Sequence, residues 1–171
     1  MEQLNYAQVR DMLLYVAEQI IDSKALLTEV DSQIGDGDHG IGMERGMKKA
    51  KEKLLSMESG SNVYALFQEM GKTMLMSMGG ASGVIFGTMF MVDALEPAVE
   101  RMKSCAGTSD LGEMLSQAAE AAREGMEATK NYQAKYGRAK SLMERALGHP
   151  DAGATSTWII FRSMAEYVQK L

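Results

Sequence analysis

Residues 26–46 read LLTEVDSQIGDGDHGIGMERG, and the fold class turns on what precedes the glycines in that stretch. Gly35-x-Gly37-x-x-Gly40 has the spacing of a dinucleotide-binding loop, which in an α/β fold follows a strand and opens a helix. Here Leu26, Leu27, Val30 and Ile34 recur at the period of a helix face, so the glycine loop joins helix to helix. It also places Asp36 and Asp38 where a pyrophosphate would be repelled. An EF-hand beginning at Asp36 fails too, because its twelfth position requires a glutamate and is Met47.

Val9, Met12, Leu13, Val16 and Ile20 define an amphipathic helix before this stretch. After it, a helix is expected from about Ile41 to Met57. Another carries Val63, Leu66, Phe67, Met70 and Met74 and ends at Gly79 and Gly80. The run VIFGTMFMVDALEPAVERMK is apolar for most of its length and predicts a buried helix; with Pro97 inside it, either the helix kinks there or a new helix begins near residues 91 to 95. An alanine-rich helix follows from about Asp110 to Lys130, with Leu111, Met114, Leu115 and Ala118 on one face. A short helix spans Ala139 to Leu147, and a last one runs from about Thr155 to Val168. With 2 prolines and no alternating run, the expected class is all-α. Residues 1–171 should form a single domain, a bundle of six to eight helices with methionines as flexible core filler.

Composition narrows the function. The charge of −5, with no dense Lys/Arg run, argues against nucleic acid as a partner. No apolar run reaches the length of a membrane span. The single Cys105 and a start without a signal-peptide pattern make the cytoplasm the expected location.

The 2 histidines both sit in loops rich in Gly and Asp, IGDGDHGIG and GHPDAGATS. Turns use Gly and Asp for conformational reasons, but three aspartates beside a histidine exceed what a link between helices requires. Asp31 falls on the last turn of its helix and Asp36 and Asp38 in the loop beyond, so the three carboxylates can converge. Their hard oxygens suit Mg²⁺, Mn²⁺ or Ca²⁺, and such a cluster can hold more than one ion. MGGASG (78–83) and DAGATS (151–156) place glycines and small hydroxyls at helix starts, where free N–H groups bind anions, and Arg138 lies upstream of the second. GxxxxGK[ST] is absent. Three phosphate-compatible helix starts with an aspartate cluster describe a polyphosphate bridged by metal, the kit of phosphoryl transfer.

The stretch at 26–46, MGGASGVIFGT (78–88) and YGRAKSLMERALGHPDAGATS (136–156) together resemble one family. It is the nucleotide-binding L subunit of bacterial dihydroxyacetone kinase, equivalent to the C-terminal domain of the single-chain dihydroxyacetone kinases. The resemblance implies an antiparallel barrel of helices with ADP or ATP held at one end by the loops. It also implies two Mg²⁺ on Asp31, Asp36 and Asp38, and nucleotide contacts at His39, Gly40, Ile41, Gly42, Ala81, Ser82, Arg138, Asp151, Ala152 and Gly153. No catalytic residue of the chain's own is implied. The γ-phosphoryl would go to a ketose held on a partner K subunit, and in phosphotransferase-linked systems a phosphohistidine protein, the M subunit, recharges bound ADP.

Two departures stand out. The family usually has Asn where this chain has Gly42. Between Phe90 and Met91 a family segment of roughly 40 residues, about two helices with their loops, is missing, so a fused helix would carry Pro97 in its interior. A catalytically incomplete nucleotide-binding regulator or paralogue is the alternative these departures raise. A metal-dependent hydrolase would have only His39 or His149 as its base.

Overall fold

The first helix, α1 (Tyr6–Asp22), begins with a reciprocal cap: the Asn5 side chain accepts from the Gln8 amide at 3.0 Å while the Gln8 side chain accepts from the Asn5 amide at 2.9 Å. It is followed by α2 (Lys24–Ile34), α3 (His39–Ser56), α4 (Val63–Ser77), α5 (Gly80–Met91), α6 (Leu111–Ala128) and α7 (Ala152–Gln169), with a single 3₁₀ turn at Thr129–Asn131. The computed structural model describes residues 3–60, 62–91, 110–131 and 146–171. Among them the chain is all-α, without strand, as the residue pattern predicts. None of these helices is long and apolar enough to cross a membrane.

Neighbours in the bundle run α6, α7, α1, α3, α4, α5, and α2 lies across α3 and touches α7. The inner faces follow from the spacing: Val9, Met12, Leu13, Val16, Ala17 and Ile20 of α1 are buried against Met43, Met47, Ala50 and Leu54 of α3 and Ile159, Ile160 and Met164 of α7. Met43, Met47, Met70, Met74 and Met78 are fully buried, so these methionines fill core. Glu44 holds α2 to α3, accepting from Lys24 at 2.7 Å and Lys48 at 2.8 Å. Those two ammonium groups keep its carboxyl below the usual range.

The α4–α5 turn sets the position of the GGASG residues. Gly79 and Gly80 both have positive φ, 53° and 67°, which reverses the chain in two residues where a side chain would be strained. The helices then cross closely: a Cβ on Gly87 would lie 2.8 Å from the Cβ of Leu75 and 2.9 Å from the Gly71 carbonyl oxygen. Met78 in turn fills the space left by Gly46 on α3.

The helices start and stop within a few residues of their expected ends, with two differences. The last helix begins at Ala152, three residues early, because Asp151 caps it by accepting from the Ala154 amide at 2.8 Å. The expectation that the run after GGASG is a buried helix is half wrong for α5. Phe86 and Phe90 are buried, yet Val84 and Ile85 on the other side are 57% and 61% exposed, since no described helix covers that face. Pro97 and the expected helix from Ala139 lie outside the described residues, apart from Ala146 and Leu147.

The α4–α5 crossing yields a paired prediction. Gly87→Ala should destabilise the chain by about 1–3 kcal/mol in urea unfolding, because the added methyl pushes two backbones apart. Gly125→Ala on α6, where a Cβ meets nothing within 4 Å, should stabilise it by about 0.5–1 kcal/mol through helix propensity. A loss of stability at neither site would mean that α4 and α5 do not pack this way.

Candidate functional site

Asp31, on the last turn of α2, and Asp36 and Asp38, in the link to α3, bring one carboxylate oxygen each to within 4.8 Å of one another. The local sequence makes this approach. Gly35 ends α2 in an extended conformation, and a side chain there would collide with the Asp31 carboxylate. Gly37 turns the chain with φ 75°, and Gly40 lets the start of α3 rest against Thr28 and the Lys24 carbonyl. Asp38 occupies the N-cap position of α3 without capping it through its side chain. Three carboxylates so close repel one another, a repulsion that a shared cation would relieve, and oxygen donors of this kind fit Mg²⁺.

His39, the first residue of α3, joins this cluster to two other helix starts. Its amide donates to Asp31 Oδ2 at 3.2 Å. Its ring Nδ1 is 3.2 Å from Ser82 Oγ in the first turn of α5, and Nε2 is 2.8 Å from Ser156 Oγ in the second turn of α7. The ring is 7% exposed and tilted against Phe86 at 5.9 Å between centroids. Burial pushes its pKa below the ordinary value, with the carboxylates of Asp31, Asp151 and Asp38 pulling the other way. The N-terminal turns of α3, α5 and α7 thus meet at one imidazole. Each adds free backbone N–H groups and the positive end of a helix dipole, an arrangement suited to an anion.

The sequence-selected residues distribute as follows. Gly40 and Ala152 are buried in the first turns of α3 and α7, Ala81 and Ile41 are exposed at the rim, and Gly42 and Gly153 are half-buried. A Cβ at Gly42 would meet nothing within 4 Å, so the missing side chain leaves open space. Asp151 both caps α7 and donates its own amide to Thr129 Oγ1 at 2.9 Å, fixing the loop before α7 to the end of α6. His149 lies apart from His39, its Nδ1 2.9 Å from Gln33 Oε1, tying the same loop to the end of α2. Arg138 lies outside the described residues.

Sequence reading missed Ser156 and Gln33. Ser156 stands inside the quoted DAGATS stretch, and its signal was a hydroxyl on the helix face that also carries Ile159, Ile160 and Ser163. All four of these residues are fully or almost fully buried. Gln33 carried no signal, because its partner is 116 residues away.

The DAK2 domain family matches the chain in two stretches, residues 33–92 and 91–166. The chain is 32% identical to the ADP-binding subunit DhaL of PEP-dependent dihydroxyacetone kinase 1 from Listeria innocua, over 87% of this chain and 90% of that one. It is likewise 32% identical to the ADP-binding subunit DhaL of the PTS-dependent kinase from Lactococcus lactis, over 88% and 92%. The alignment to the Listeria subunit is 179 positions long but takes up only 87% of 171 residues, about 149. The relative therefore has about 30 positions (179 less 149) without a counterpart here. In fold, the crystal structure of the dihydroxyacetone kinase of C. freundii superposes with a TM-score of 0.68 at 24% identity, covering 97% of this chain and 35% of that one. The same kinase in complex with AMP-PNP and Mg²⁺ gives 0.67 at 22%, over 97% and 34%. The two matched stretches meet where Phe90 and Met91 mark the shortened segment, and together they span most of the sequence: the chain belongs to the DAK2 domain family.

Proposed function

We propose that residues 1–171 form one nucleotide-binding domain, the ADP/ATP- and Mg²⁺-binding subunit of a kinase for dihydroxyacetone or a related short-chain ketose. The observation that carries this reading is the meeting of three carboxylates with the N-terminal turns of α3, α5 and α7 at His39. Asp31, Asp36 and Asp38 would hold the metal, two ions by the family's pattern, which supplies charge neutralisation between the carboxylates and the nucleotide phosphates. The amides at Gly40 and Ile41, those at Ala81 and Ser82, and the Asp151–Gly153 turn with Arg138 would orient the phosphates, whereas the amides of His39 and Gly42 are already taken by Asp31 Oδ2 and the Asp38 carbonyl, so these two residues would line the site without donating their N–H groups. The names of the relatives, ADP-binding subunits of multi-part kinases, support this assignment. The ketose would sit on a partner K subunit, and a phosphohistidine-carrying M subunit is the donor in the phosphotransferase-linked form.

The shortened segment favours a second reading, a nucleotide-binding regulator that binds without transfer. The two readings separate on one assay. With a K subunit and ATP or a phosphotransferase donor present, phosphorylation of dihydroxyacetone establishes the kinase, and tight binding with no product establishes the regulator.

Titration calorimetry of ADP and ATP should show binding that requires Mg²⁺. Asp36→Ala and Asp38→Ala should each weaken it by at least about 100-fold, the upper end of what the loss of even an outer-shell partner costs a metal site, with the melting temperature retained. Unchanged affinity would remove these aspartates from the metal role.

Stability should also depend on pH through His39. Its pKa in the folded chain lies below the unfolded value of about 6.5, so the unfolded state binds more protons between the two. Its contribution is complete above pH about 6.5 and is lost as pH falls from there to the lowered value, at up to about 1.4 kcal/mol per pH unit. Urea unfolding across this range should show the slope in the wild type and a shallower one in His39→Gln.

A further inference from the structure

Ser156 is fully buried, and a buried hydroxyl hydrogen must find an acceptor. Its neighbours on α7 use the carbonyl four residues back: Thr155 donates to Asp151 O at 2.8 Å, Thr157 to Gly153 O at 3.0 Å and Ser163 to Ile159 O at 2.7 Å. Ser156 makes no such bond, and among the described residues its Oγ has one partner, His39 Nε2 at 2.8 Å. The hydroxyl hydrogen therefore points at Nε2, which accepts it with its lone pair. A neutral imidazole with its lone pair on Nε2 carries its proton on Nδ1. That N–H faces Ser82 Oγ at 3.2 Å and donates to it. With its oxygen already accepting from His39, Ser82 keeps its own O–H to give to a ligand.

The opposite tautomer reverses both ends. Nε2–H would donate to Ser156 and strand the Ser156 hydrogen in the core, while Nδ1 would draw in the Ser82 hydrogen and turn a lone pair towards the ligand. Phosphate oxygens need donors, so only the first arrangement suits an anion at the start of α5. At mildly alkaline pH an imidazole is neutral, and Phe86 packs beside this ring with 5.9 Å between centroids.

We propose that Ser156 is a positioning residue that, through the tautomer of His39, sets the Ser82 hydroxyl as a hydrogen-bond donor to a bound phosphate. The ligand in this statement rests on the nucleotide reading above; the tautomer does not.

The test is the ¹⁵N spectrum of the imidazoles in the full chain at mildly alkaline pH, with His149→Gln assigning the only other histidine. A protonated Nδ1 and bare Nε2 on His39 is the expected result, and the reverse overturns the proposal without any variant having to fold at this site. Ser156→Ala should blur that tautomer signature and weaken Mg²⁺–ADP binding by about tenfold, the size of one charge-assisted hydrogen bond. Ser82→Ala should lose as much, and the double variant no more than either. Additive losses overturn the coupling. The expected tautomer in a chain that binds no ADP supports the role of Ser156 in setting it and sinks the nucleotide reading instead.

Discussion

Like charges brought within 4.8 Å on Asp31, Asp36 and Asp38 are the constraint that the site end of the bundle is organised to satisfy. The amide of His39 on Asp31 and the dipole ends of α3, α5 and α7 contribute to that compensation, and the cation proposed above would add to it. His39 is the joint between them. Its backbone serves the Asp31 carboxylate and its ring serves the hydroxyls of two other helices, so residues distant in sequence are held at hydrogen-bond length. A buried side chain with both polar atoms satisfied has little freedom to rotate, and that rigidity passes to Ser82.

The rest of the fold delivers these helix starts to one place. Glu44 clamps α2 to α3 near the loop, Met78 seats the α4–α5 turn in the notch at Gly46, and Asp151 and His149 pin the loop before α7 to the ends of α6 and α2. The glycines in the quoted motifs therefore have two roles. Some allow close approach, as at Gly35, Gly40 and Gly87, and others reverse the chain, as at Gly79 and Gly80.

The chain is shorter than its relatives, and the family match shows where it divides. About 30 positions of the Listeria subunit have no counterpart, and the family match divides at the end of α5. The same helix carries Val84 and Ile85 on an open face. Its amino-terminal turn is nonetheless seated on His39, so the part of α5 that shapes the site does not depend on the part that is bare.

Helix period, capping residues and the near absence of proline determined the all-α class and most helix ends, because those signals act within a few residues. The Asp31, Asp36 and Asp38 cluster was legible for the same reason: helix end, glycine and loop lie within eight residues and leave the chain few other paths. Tertiary structure alone decided what those residues meet. Nothing local tells that His39 bonds Ser82 and Ser156, 43 and 117 residues away, or that His149 turns to Gln33. Nor could hydropathy decide how α5 is buried. Its apolar residues go all the way round, so the side facing the core is chosen by where Gly83 and Gly87 let α4 approach, a contact that exists only once both helices are packed.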